Sequence, residues 1–195
     1  GEHYEKLWAA AEALAMPINM HILTGEPYPF PRNFGPPIAY KTFKSGVNSK
    51  LFYAANAIVD IIMTGVTERY PKLKFVLVEN EVSWMPFVIP QYDKYWARGH
   101  FKAPMSLTPG EYFQRQFYAT FFNDPPAAWL FDHWGEKNFM WSNDYPHQNS
   151  TWPKSREVID RDLGHLPADK RRRLLSENVR ELYDLPLLEP VKLAA

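Results

Sequence analysis

The sequence predicts an α/β fold built on a parallel sheet. Short apolar runs recur at residues 18–23, 73–78, 117–121 and 138–142. Helix-forming stretches separate them, and strands alternating with helices imply parallel pairing through right-handed crossovers. The second run is apolar at nearly every position, as expected of a strand covered on both faces. The length of 195 residues suits one domain, residues 1–195.

The elements follow in order. Residues 4–15 are strong helix formers with Leu7, Ala10, Ala11 and Leu14 on one face, and Pro17 stops them. Residues 18–23 form a buried strand containing His21, ended by Gly25. Residues 26–46 hold five prolines and read as a long irregular loop. Residues 48–67 read as a helix, with Leu51, Ala55, Ile58, Ile62 and Val66 on one stripe. Pro71 ends it before the second strand. A Trp- and Tyr-rich helix covers 83–97, and a polar loop to Pro109 leads through a short helix into the third strand. Asp124-Pro-Pro opens a helix running to about Trp134. The fourth strand is followed at once by Asn143, Asp144, Tyr145, Pro146 and His147. Helices near 154–163 and 168–183 close the chain.

Composition narrows the function. Lys plus Arg number 22 and Asp plus Glu number 22, so the net charge is zero. Nucleic-acid binding is not expected without a basic excess, nor is a membrane surface without a polybasic cluster. No apolar run approaches the roughly 18 residues of a membrane helix, and the charged N-terminus is unlike a signal peptide; a cytoplasmic protein is expected. The absence of cysteine excludes disulfides, thiolate zinc sites and a cysteine nucleophile. A metal would have to be held by histidine and carboxylates.

In parallel α/β folds, reactive residues sit at the carboxyl ends of strands. The first strand presents His21, the second Glu79 with Asn80 and Glu81, the third Asn123 and Asp124, the fourth Asp144 and His147. One imidazole and several carboxylates converging there suit a divalent metal such as zinc, manganese or iron. Plainer readings stand beside this one. His21 also fits a hydrogen-bonded core histidine, Asp144 a turn or cap aspartate, Glu79 a partner of Lys74 or an arginine, and His147 a loop cap. His133 and His165 read as surface or packing residues, and residues 171–173 as a solvated arginine face.

Five segments in order carry a family resemblance: PINMHILTG, YPKLKFVLVENEVSWMP, EYFQRQFYATFFNDP, FMWSNDYPHQNSTWPKSRE and LLSENVRELYDL. Together they resemble the C-terminal half of the amidohydrolase-related family. That group includes aminocarboxymuconate-semialdehyde decarboxylase and the resorcylate-type decarboxylases. The resemblance implies a (β/α)8 TIM barrel with a mononuclear metal, usually zinc. It places this chain at strands five to eight, about four β/α units. It implies His21 and Asp144 as metal ligands, with Asp144 also a base, and Glu79 and His147 as acid/base or orienting groups. Trp84 and Trp141 are weaker candidates for pocket walls. Many members carry an Ala-His-Gly-Gly histidine where this chain has Glu79 in Val-Glu-Asn-Glu. The family's first-strand Glu/His-x-His pair has no counterpart before residue 18. The expected function is a metal-dependent hydrolase or decarboxylase acting on a small carboxylated, aromatic substrate. The rival expectation is a non-catalytic half-barrel that forms a homo-oligomer or pairs with a missing N-terminal half.

Overall fold

A computed structural model describes residues 2–22, 38–99, 105–131 and 133–187. A short 3-10 turn (Glu2–Tyr4) leads into α1 (Glu5–Ala13). Ala15 ends that helix in the left-handed region at φ 51°, and the Met16 N–H returns to the Ala11 carbonyl at 2.9 Å. This closes orphan carbonyls of the last turn. Pro17 then forces the chain into β1 (Ile18–His21). Leu23 and residues 26–37 of the expected loop lie outside the described residues.

The expected loop over 38–46 is corrected: those residues are helical, within α2 (Ile38–Met63). Gly46 lies inside α2 and is tolerated there, at about 1 kcal/mol relative to alanine. The helix also ends before Val66. Gly65 takes φ 75°, a conformation open to glycine without a Cβ clash, and starts the separate short α3 (Val66–Arg69). β2 (Phe75–Val78) follows, then α4 (Met85–Ala97). α5 (Pro109–Gln116) begins with a capping box: Thr108 accepts from the Glu111 N–H, and Glu111 accepts from the Thr108 N–H. It runs directly into β3 (Phe117–Phe121). The helix expected to reach Trp134 is only α6 (Ala127–Leu130). β4 (Phe139–Trp141) leads to α7 (Ser155–Leu163) and α8 (Ala168–Arg172). A π-helical stretch (Arg173–Glu177) joins α8 to α9 (Asn178–Leu182).

The four strands form one parallel sheet in the order β1-β2-β3-β4. Alternation sends Phe75, Leu77, Phe117, Ala119, Phe121 and Phe139 toward the helices. They meet Ile58 and Ile62 of α2, Met85 and Ile89 of α4, and Phe113 of α5. Phe75, Phe117, Phe113 and Trp134 stack in sequence with centroids 5.1–5.6 Å apart. Such pairs contribute about 0.5–1.5 kcal/mol each beyond their buried area.

The amino end of the sheet is tied by buried amides. Gln116 donates to the Tyr70 and Leu73 carbonyls, and Asn138 to the Gln114 and Phe117 carbonyls. Asn178 donates to the Glu136 and Phe139 carbonyls. Each amide satisfies backbone groups that the loops would otherwise leave unpaired. The carboxyl end is thereby free to carry polar side chains. No helix among the described residues is long and apolar enough to cross a membrane.

Candidate metal centre

Ile18 and Met20 pack on the helix side, so Asn19 and His21 point to the opposite face of β1. His21 Nδ1 lies 2.8 Å from the Ile22 carbonyl and Nε2 lies 2.8 Å from Glu79 Oε1. A carbonyl oxygen only accepts, so Nδ1 carries a proton. Nε2 faces a carboxylate, which favours the protonated ring. The hydrogen bond to Ile22, supported by Glu79 and Asp144, raises the His21 pKa against a smaller opposing effect of burial.

Glu79 follows β2 with φ 63°, and its N–H donates to Thr120 Oγ1 of β3 at 2.8 Å. Asp144 lies just past β4 with φ 56° and its side chain almost buried. Its Oδ1 is 2.8 Å from His147 Nδ1, which is itself 3.9 Å from Glu79 Oε1. Glu79, Asp144 and His147 each offer a ligand atom, all within 4.8 Å of one another. Left-handed backbone at a non-glycine residue costs on the order of 1–3 kcal/mol and clusters at functional sites.

This donor set fits a divalent metal. Donors 2.0–2.1 Å from a tetrahedral centre lie about 3.3 Å apart. Glu79, Asp144 and His147 approach this spacing, with ligand atoms all within 4.8 Å of one another, and His21 stands beside the set through Glu79 at 2.8 Å.

The structure thus brings His21, Glu79, Asp144 and His147 together. It separates the other candidates. Asp124 is buried and its Oδ2 accepts the Val82 and Ser83 N–H groups, each at 2.7 Å. Glu81 pairs with Lys50 and accepts from the Phe122 and Asn123 N–H groups. Asn80 is buried and donates to the Val78 carbonyl. Glu79 does not pair with Lys74, which donates to the Arg115 carbonyl. Trp84 and Trp141 are corrected as pocket walls: both pack against the helix-side core, because the parity of β4 sends Trp141 there and the Trp84 indole donates to the Asn80 carbonyl. His133 and His165 are exposed. The arginines at 171–173 are ion-paired, with Asp160, Glu177 and Glu181.

A cavity of about 120 Å³ adjoins His21, lined by Met20, Tyr53, Ala54, Leu77 and Asn80. A larger one of about 220 Å³ lies at the opposite end of the sheet, beside Phe113, Trp134 and Asn138, and touches none of the four site residues. Thr120 was not singled out by the sequence. Its signal is an aliphatic hydroxyl at the penultimate position of a largely apolar strand.

The amidohydrolase family model matches residues 1–185. The chain belongs to the amidohydrolase family. No curated protein matches the sequence. Among solved structures, it is similar to 5-carboxyvanillate decarboxylase LigW from Sphingomonas paucimobilis, at 22% identity and TM-score 0.69, covering 94% of this chain and 53% of that one. It is similar to the dihydroxybenzoic acid decarboxylase of Polaromonas sp. JS666, solved with bound manganese and the inhibitor 2-nitroresorcinol. There the identity is 18% and the TM-score 0.67, over 99% of this chain and 57% of that one. An amidohydrolase from Mycobacterium avium subsp. paratuberculosis K-10 matches at 16% identity and TM-score 0.74, over 93% of this chain and 46% of its own. The chain spans about half the length of these amidohydrolase-family structures. At such identities the likeness establishes the shared α/β fold.

Proposed function

We propose that this domain, residues 1–195, supplies strands five to eight of a (β/α)8 barrel in a metal-dependent enzyme that decarboxylates or hydrolyses a small aromatic carboxylate. The observation that carries the reading is the meeting of His21, Glu79, Asp144 and His147 at the carboxyl ends of β1, β2 and β4. The decarboxylases among the similar structures, and the manganese bound in one of them, support the reaction class and a divalent cation.

His21 and Asp144 are the ligands in this reading, for manganese or zinc. Such a cation supplies Lewis acidity toward an oxygen of substrate or water. Glu79 and His147 handle the proton. Losing CO2 from an aromatic ring requires a proton at the ring carbon that bears the carboxylate. The electrons of the breaking C–C bond then return to the ring, and hydrogen stands where the carboxylate was. His147 is exposed enough to exchange its proton with solvent and is oriented by Asp144. Glu79, largely shielded between the two imidazoles, accepts or returns a proton without leaving the site. The test is metal-dependent CO2 release from hydroxylated benzoates. Turnover that needs manganese or zinc and disappears in Asp144→Asn supports the reading; metal-independent turnover, or none in a form that includes the remainder of a barrel, defeats it.

A second reading is favoured by the outer strands. β1 and β4 each pair on one side only among the described residues. Edges of this kind invite pairing. The chain would then be inactive until a second copy or an N-terminal half covers them.

A further inference from the structure

Glu79 reaches both histidines from an uncommon backbone conformation. Its φ of 63° lies in the left-handed region, which a glutamate seldom occupies. The loops after β2 and β3 are laced together around it. Glu81 accepts from the Phe122 and Asn123 N–H groups, and Asp124 accepts from the Val82 and Ser83 N–H groups. These bonds fix the two loops against each other but act two or more residues beyond Glu79. The bond from the Glu79 N–H to Thr120 Oγ1, at 2.8 Å, acts on Glu79 itself. Parity places Thr120 on the same face as His21, away from the helix-side core that holds Phe117, Ala119 and Phe121.

We propose that Thr120 is a positioning residue: its hydroxyl pins the Glu79 backbone so that the Glu79 carboxylate faces the cation position between His21 and His147. The inference rests on the metal-centre reading above. It adds a group from β3, the one strand that otherwise contributes nothing to the cluster. Without the acceptor, Glu79 relaxes toward an ordinary backbone conformation. Its Cα–Cβ bond then turns away from Nε2 of His21.

The experiment is a double-mutant cycle read by Mn2+ affinity in calorimetry, on the 195-residue chain. Thr120→Val keeps the shape and removes the acceptor. Its affinity should fall about tenfold, the low end for groups that orient a metal site. Thr120→Ser should stay within about twofold of the parent, a rescue that a purely packing role would not give. Glu79→Gln should lose at least as much as Thr120→Val, and the double variant no more than Glu79→Gln alone. Additive losses overturn the proposal, because Thr120 would then act independently of Glu79. Parent-like affinity in a folded Thr120→Val overturns it while leaving the metal centre intact, provided Glu79→Gln is impaired. Parent-like affinity in Glu79→Gln overturns it while leaving His21 and Asp144 as ligands; no binding by the parent overturns both. Should Thr120→Val not fold, amide exchange decides. The Glu79 N–H should be protected in the parent, and fast exchange there refutes the bond.

Discussion

Each nitrogen of His21 faces an acceptor, the Ile22 carbonyl on one side and Glu79 on the other. Its pKa is therefore raised above 6.5. In the metal-free protein the folded state holds this proton to higher pH than the unfolded chain. The stabilisation is complete below pH 6.5 and is lost as pH rises through the folded value. Thermal unfolding should show the midpoint falling across that window, and His21→Gln should remove this component. Metal binding must displace the proton. Calorimetry in buffers of different ionisation enthalpy should therefore report proton release, and affinity should weaken as pH drops. Asp144→Asn should lower Mn2+ affinity by at least about tenfold and eliminate turnover, because the amide is neither a charged ligand nor a base. The placement of His21 and Asp144 at strand ends was legible in the sequence, because apolar runs mark where the strands stop. The pairing of Glu79 with His21 was not, since it depends on a left-handed backbone that a glutamate's identity does not announce.

Strands and most helices were legible from apolar runs and proline stops. β3 falls where the run at 117–121 predicts it. The start of α2 was hidden, because five prolines just before it and Gly46 within it read as loop signals. The short α6 was overestimated because Asp124-Pro-Pro resembles a helix start, whereas Asp124 caps the neighbouring loop instead. The amide ties at the amino end of the sheet were invisible to periodicity, and they set an energetic expectation. Asn138→Ala removes the donor to the Gln114 and Phe117 carbonyls. It should cost about 2 kcal/mol in urea denaturation. Arg156→Ala, on the exposed side of α7, should stay within about 0.5 kcal/mol. The outer strands carry a separate expectation. If β1 and β4 seek partners, light scattering should show mass rising above that of one chain with concentration. A monomer at high concentration would remove that reading.

At the scale of the molecule, a parallel sheet packed against helices presents its strand ends as a platform for chemistry. The amino end carries buried amides and aromatic stacking, and the carboxyl end carries two histidines and two carboxylates. The family was legible because five motifs occur in order, and the match over residues 1–185 agrees with them. The substrate was not legible, because about half the length of the similar structures lies outside the aligned region. The most direct test is anomalous diffraction from crystals soaked in Mn2+. The predicted result is one strong peak about 2.2 Å from both Nε2 of His21 and the Asp144 carboxylate, with the Glu79 and His147 side chains facing it. A peak elsewhere, or none at this cluster at saturating metal, would contradict the account.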